Sequence, residues 1–166
     1  MNKVYQWPVY WVMLLSLLIT ACGFQLRGMA DLSFKHLHIQ GKTLSISKDL
    51  ARTLANNKIK IVDNIGDAEL LLELLDESNQ KRIQSLSGGG LVREFELNYQ
   101  VQFRTRQPAD ALWSNVQTVQ IRKDFSYDDK NLLGKVDEEA RLNTDMRNDA
   151  IREIMRRLGA IKPAAR

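Results

Sequence analysis

Only one cysteine and two histidines occur among the 166 residues, and both shortages exclude chemistry. A lone cysteine, Cys22, cannot close an internal disulfide, so in an exported chain it is unused, intermolecular or chemically modified. His36 and His38 sit at i, i+2 and could face one metal from a strand, but no third histidine and no spare cysteine can complete a site. They are expected as a solvated pair, and His-based acid–base or nucleophilic catalysis has no basis. Ser45, Ser47, Ser85 and Ser87 accordingly lack a base at suggestive spacing, which argues against a hydrolase. No glycine-rich phosphate-binding motif is present, so any driving force must come from partners. No solenoid-period repeat is visible. No catalytic residue, metal or cofactor is expected, apart from a group carried covalently on Cys22.

Long apolar runs are also missing. The best, Val9 to Ile19, is interrupted only by Ser16, and as a helix it reaches roughly 16 Å, about half of a ~30 Å hydrocarbon core. Preceded by Lys3 and followed by the small residue Ala21, it has the three-part layout of a secretory signal peptide. Extension back to Val4 takes in Gln6 and Pro8, leaving an uncleaved anchor as the minor alternative. Leu18-Ile19-Thr20-Ala21-Cys22 resembles the bacterial lipoprotein signal, which implies that Cys22 is lipidated and begins the mature chain. Stable anchoring needs more than one acyl chain at about 0.8 kcal/mol per buried CH₂, a condition that multiple acylation meets. Gly23 in place of Asp after the cysteine implies, by lipoprotein sorting rules, export to the outer membrane. Residues 1–21 are therefore read as a cleaved leader, 22–31 as a lipidated tether and 32–166 as one domain. Loss of Lys3 leaves 23 Lys+Arg against 20 acids, a net charge of +3 that is too small to argue for nucleic acid.

Within the domain, Phe34–Ile39 alternates with Leu37 and Ile39 on one face and is expected as a strand. Ser45 or Ser47 can cap a helix carrying Leu50, Ala51 and Leu54, which Asn56-Asn57 ends. Ile59–Val62 is either a strand or extended chain. Ala68 to Leu86 reads as a long β segment, and Ser87-Gly88-Gly89-Gly90 as its hairpin turn. In the next strand Phe95, Leu97, Tyr99, Val101 and Phe103 share one face, while Asn98, Gln100 and Gln102 share the other. After a turn at Pro108-Ala109-Asp110, Trp113 to Tyr127 repeats the pattern, with Val119, Ile121, Phe125 and Tyr127 inward and Gln120 and Arg122 outward. From Leu132 to Leu158 the period becomes 3.6, with Val136, Ala140, Leu142, Met146, Ala150, Ile151, Ile154 and Leu158 in one stripe. Acids Asp137-Glu138-Glu139 near its start and Arg156-Arg157 near its end suit the helix dipole, and Gly159 and Pro163 stop it. The expected fold is α+β: two helices on one face of a mostly antiparallel sheet of about four strands, the other face wet and amide-rich.

Taken together, Cys22-Gly23-Phe24-Gln25-Leu26-Arg27-Gly28, the Glu94-Phe95 strand after a glycine turn, and the helix end from Arg152 to Leu158 resemble the LptE family of lipopolysaccharide-assembly lipoproteins. That resemblance implies an outer-membrane lipoprotein that sits as a plug in the lumen of the LptD β-barrel, binds lipopolysaccharide and helps the barrel assemble. A plug in a polar lumen should present a polar, weakly charged surface, which makes Gly88, Gly89, Gly90, Asn98, Gln100, Gln102 and Gln120 the expected barrel contacts. Lipopolysaccharide carries phosphates and acidic sugars, which makes Arg93, Arg122, Lys123, Lys130 and Lys135 the expected ligand contacts. Lys135 matches a basic residue of the family by position, whereas the turn carries only glycines where relatives can carry a basic residue. The competing expectation is a free periplasmic lipid-binding or chaperone lipoprotein that never enters a barrel.

Overall fold

The computed structural model describes residues 32–127 and 132–161. The leader and the tether lie outside the described residues. The elements run β1 (His36–Gly41), α1 (Ser47–Asn56), β2 (Lys60–Ile61), a 3-10 turn (Ile65–Asp67), β3 (Leu70–Leu86), β4 (Val92–Arg106), β5 (Gln117–Ser126) and α2 (Leu132–Gly159). One five-stranded sheet has the order β2-β1-β3-β4-β5. β1 pairs in parallel with both β2 and β3, and the long β3, β4 and β5 form an antiparallel meander.

The α+β expectation is met, with two differences. The sheet is mixed, and the segment left open at Ile59–Val62 supplies a fifth strand of two residues, Lys60–Ile61. Strand β5 begins at Gln117 rather than Trp113, because the chain from Gln107 to Val116 forms a loop tied back where Ser114 N donates to Thr105 O at 2.8 Å. Helix α1 takes no side-chain cap from either serine; its N-cap residue is Ile46, and Ser47 Oγ accepts instead from Leu44 N at 2.9 Å.

The core lies on one face of the sheet. Leu37 of β1, Leu70, Leu72 and Leu74 of β3, and Leu97, Tyr99, Val101 and Phe103 of β4 meet Leu50 and Leu54 of α1 and Met146, Ala150, Ile154 and Leu158 of α2. A bulge between Leu74 and Asp76 shifts the alternation of β3, so that beyond it Asn79, Lys81 and Ile83 take the helix side. Gly41 closes β1 at φ +97°, where a Cβ would stand 2.2 Å from Leu74 O; both the conformation and the close approach require glycine. No described helix is long and apolar enough to cross a membrane.

The helix stripe is only partly used. Met146 to Leu158 is buried, but Val136 and Ala140 are exposed and Leu133 is 85 % exposed, so the first turns of α2 carry apolar side chains that the domain does not cover.

Candidate binding surfaces

At the hairpin tip, Ser87 N donates to Leu91 O at 2.7 Å and Gly90 N to Ser87 O at 2.9 Å, with Gly90 at φ +79°. Gly88, Gly89 and Gly90 are exposed, and no atom lies within 4 Å of a Cβ built on Gly88 or Gly90. Ile83, Leu86 and Leu91 flank the tip and are all exposed, Leu91 at 64 %. The uncovered start of α2 belongs to this end, because Lys135 reaches Ser126 Oγ at 3.3 Å and Ser126 pairs with Glu94. Exposed apolar side chains thus occur at both the turn and the helix start, Leu86 and Leu91 at one and Leu133 and Val136 at the other.

The five basic residues expected to form one ligand site are spread over different environments. Arg93 is exposed and has no acidic partner among the described residues. Arg122 lies on the open face, next to the Asn98–Gln120 pair, whose side chains meet at 2.9 Å. With the Gln120 amide turned so that both its ends are satisfied, its carbonyl accepts from Arg122 Nη2 at 3.1 Å. Lys123, one residue on, takes the opposite face and pairs with Asp149 of α2 at 3.4 Å. Lys135 bonds Glu138 at 2.7 Å, with its side chain only 16 % exposed. Lys130 lies outside the described residues. Of the four described, Arg93 alone is both exposed and beside the tip.

Sequence reasoning missed a sixth cation at this end. The bulge in β3 turns Lys81 to the helix side, where its ammonium sits 4.2 Å from the Phe95 ring centre and 2.6 Å from Glu139 Oε2. Phe95 stacks on Phe125 at 5.7 Å and meets Tyr127 edge-on at 5.2 Å, giving the tip a rigid aromatic base.

The open face carries Asn98, Gln100 and Gln102 of β4, half-buried by their neighbours, and the exposed Gln120 of β5, all on the side away from the helices. Nearer the start of β3, Arg104 pairs with Glu73, and that contact holds the Glu73 carboxyl below its usual range. On the helix side a polar cleft of about 250 Å³ is lined by Ser45, Glu77, Asn79, Tyr99, Asn143 and Arg147. Burial first, and then the bond to Glu77, push the Tyr99 hydroxyl far above its ordinary titration range, so it is a fixed donor. His36 and His38 do not share a site: Nδ1 of His36 meets Glu69 Oε1 at 3.0 Å, and Nδ1 of His38 donates to Val62 O at 2.9 Å. Among the described residues no three His, Cys, Asp or Glu side chains converge as a metal site would require.

A mixed sheet covered by two helices on one face and open on the other, with a long apolar-flanked hairpin, defines the class as small α+β domains. Solved structures similar to it are lipoproteins. The solution structure of an uncharacterized lipoprotein B from Nitrosomonas europaea is 33 % identical, covering 83 % of this chain and 91 % of that one with a TM-score of 0.73. The rare lipoprotein B from Shewanella oneidensis is 27 % identical, covering 75 % and 94 %, with a TM-score of 0.68. A minor lipoprotein from Acinetobacter baumannii, at 20 % identity over 78 % and 93 %, shares the fold with a TM-score of 0.62. No curated protein sequence matches. The family described as LptE, lipopolysaccharide-assembly, matches residues 34–158, and the chain belongs to that family.

Proposed function

We propose that this chain is an outer-membrane lipoprotein, held in the periplasmic leaflet by lipid on Cys22, that plugs the lumen of the LptD β-barrel. In this reading it binds lipopolysaccharide, assists its assembly at the outer-membrane surface and helps the barrel fold, acting by binding rather than by catalysis and with no cofactor beyond its lipid. Membership of the lipopolysaccharide-assembly family supports the process. The observation that carries the plug is the two-sidedness of the sheet. Its helices cover one face, and the other presents the amides Asn98, Gln100, Gln102 and Gln120 among charged side chains such as Arg122 and Arg104, a polar surface that suits the polar interior of a large barrel.

The hairpin supports a division of labour. β4 runs fifteen residues, so the Gly88–Gly90 turn stands roughly 50 Å from the far end of the strand, enough to cross a bilayer-spanning barrel. Arg93 beside exposed Leu86 and Leu91 offers a cation and apolar area together, the pair of features that an acylated, phosphorylated glycolipid would engage. Photo-crosslinking from Gly88, Gly89 and Gly90 in intact cells tests both partner and depth. Adducts to one large outer-membrane barrel support the plug, and adducts only to soluble periplasmic proteins overturn it in favour of a free chaperone.

A further inference from the structure

The end of the molecule opposite the hairpin tip gathers several observations. Leu37 pairs with Leu70 and Leu71 with Arg106, so the start of β1 lies about two strand spacings, ~10 Å, from the end of β4. Ser33 Oγ donates to Ile161 O at 2.8 Å, which brings the end of α2 there as well. The Gln107–Val116 loop leaves from this same base. It carries a single charged residue, Asp110, and exposes Leu112 at 81 % and Val116 at 52 %. Between them, half-buried Trp113 lies under two guanidinium groups, that of Arg104 at 4.9 Å and that of Arg106 at 5.3 Å. The Nε of Arg106 is buried without a hydrogen-bond partner, although its Nη1 donates to Asp110 O at 3.0 Å.

We infer that the Gln107–Val116 loop is a membrane-contact site, seated on the lipid leaflet that holds the anchor in the tethered lipoprotein. An indole flanked by aliphatic side chains is the residue set that settles at a lipid–water interface with the ring at headgroup depth, and the guanidinium groups of Arg104, paired with Glu73, and Arg106 hold this ring in place from behind. Reach selects this end. The ten residues from Cys22 to Leu32 span at most ~36 Å, within which the base can reach the leaflet, whereas the tip lies roughly 50 Å beyond the base along the strands. The apolar tip therefore does not compete for the same membrane while the domain stands upright. The inference rests on Cys22 being the anchor point, and its consequence is orientation: two contacts, one lipid and one loop, fix which end faces the periplasmic leaflet.

Trp113 is the only tryptophan outside residues 1–21 and so reports on its own loop. Residues 22–166, which hold the whole core, are coupled through the Cys22 thiol to a maleimide phospholipid in phosphatidylethanolamine–phosphatidylglycerol vesicles containing brominated acyl chains. The expected result is quenching of Trp113 that falls severalfold in Leu112→Asp with Val116→Asp, and also in Leu112→Ser alone, with unchanged far-ultraviolet dichroism. Quenching that is absent, or equal in the parent and the Leu112→Ser chain, overturns the inference. Synthetic coupling keeps this result separate from the anchor itself. Protein extracted from cells with a bare Cys22 would sink the natural anchor and leave the loop measurement standing.

Discussion

The Tyr99 hydroxyl of β4 donates to Glu77 of β3 at 2.5 Å, and the same carboxylate accepts from Ser45 N at 2.6 Å and Ser45 Oγ at 2.5 Å. One side chain thus ties the meander to the start of α1. Glu77→Ala leaves a buried hydroxyl unsatisfied and should cost about 1–3 kcal/mol, while Tyr99→Phe removes the donor itself and should cost less. Urea unfolding of the two variants checks the order, and equal stability of Glu77→Ala and the parent would remove the clasp.

Gly41 and Gly88 make opposite demands. At Gly41 an added methyl meets Leu74 O at 2.2 Å with φ at +97°, so Gly41→Ala should cost more than about 2 kcal/mol, combining left-handed strain with a steric clash. Gly88 has open space, so Gly88→Ala should stay within about 0.5 kcal/mol. Thermal melts of the pair decide, and a tolerated Gly41→Ala would contradict the close approach of β1 to β3.

Glu153 is held down to about 2 by hydrogen bonds from Arg156 and, secondarily, Arg157. A carboxyl depressed on folding stabilises above its unfolded value of about 4.5, and that contribution fades as pH falls toward 2. Because Arg156 is mostly exposed, water screens the pair, and about 1 kcal/mol is the expected loss in Glu153→Gln at neutral pH. The difference between variant and parent should shrink steadily from pH 5 downward toward about pH 2; a difference that is constant over that range would exclude the ion pairs as its cause.

Arg93 and Lys123 should separate binding from stability. Arg93→Glu is expected to weaken lipopolysaccharide association severalfold with an unchanged melting temperature, because the residue is solvated and lacks an acidic partner among the described residues. Lys123→Ala breaks the tie to Asp149 and should lower stability by up to about 1 kcal/mol while leaving binding near the parent value. The reverse pattern would move the ligand site off the tip and onto the helix side.

Strict alternation from Phe95 to Phe103 marked the wet and dry faces of β4 without any structural knowledge, because a half-buried strand leaves a period of two in its residues. The same alternation in β5 already sends Lys123 inward with Val119, Ile121 and Phe125, so its separation from Arg122 was legible before the fold was seen. Lys81 was not. Its side of the sheet depends on the bulge near Leu75, and no local pattern announces where two residues will oppose one. Parallel pairing of β1 was hidden for a related reason: the register between segments more than thirty residues apart is fixed by packing, not by local sequence. The uncovered start of α2 was equally hidden, since a 3.6-residue stripe shows which side is apolar and not how far the sheet extends beneath it.

Purification in mild detergent from its own membranes tests most directly whether this domain works inside a barrel. Recovery at equal stoichiometry with one much larger β-barrel protein is expected, surviving moderate salt because Asn98, Gln100, Gln102 and Gln120 of the open face can bond a partner without charge. Recovery of the lipoprotein as a free monomer, with no barrel at any detergent concentration that keeps membrane complexes intact, would contradict it.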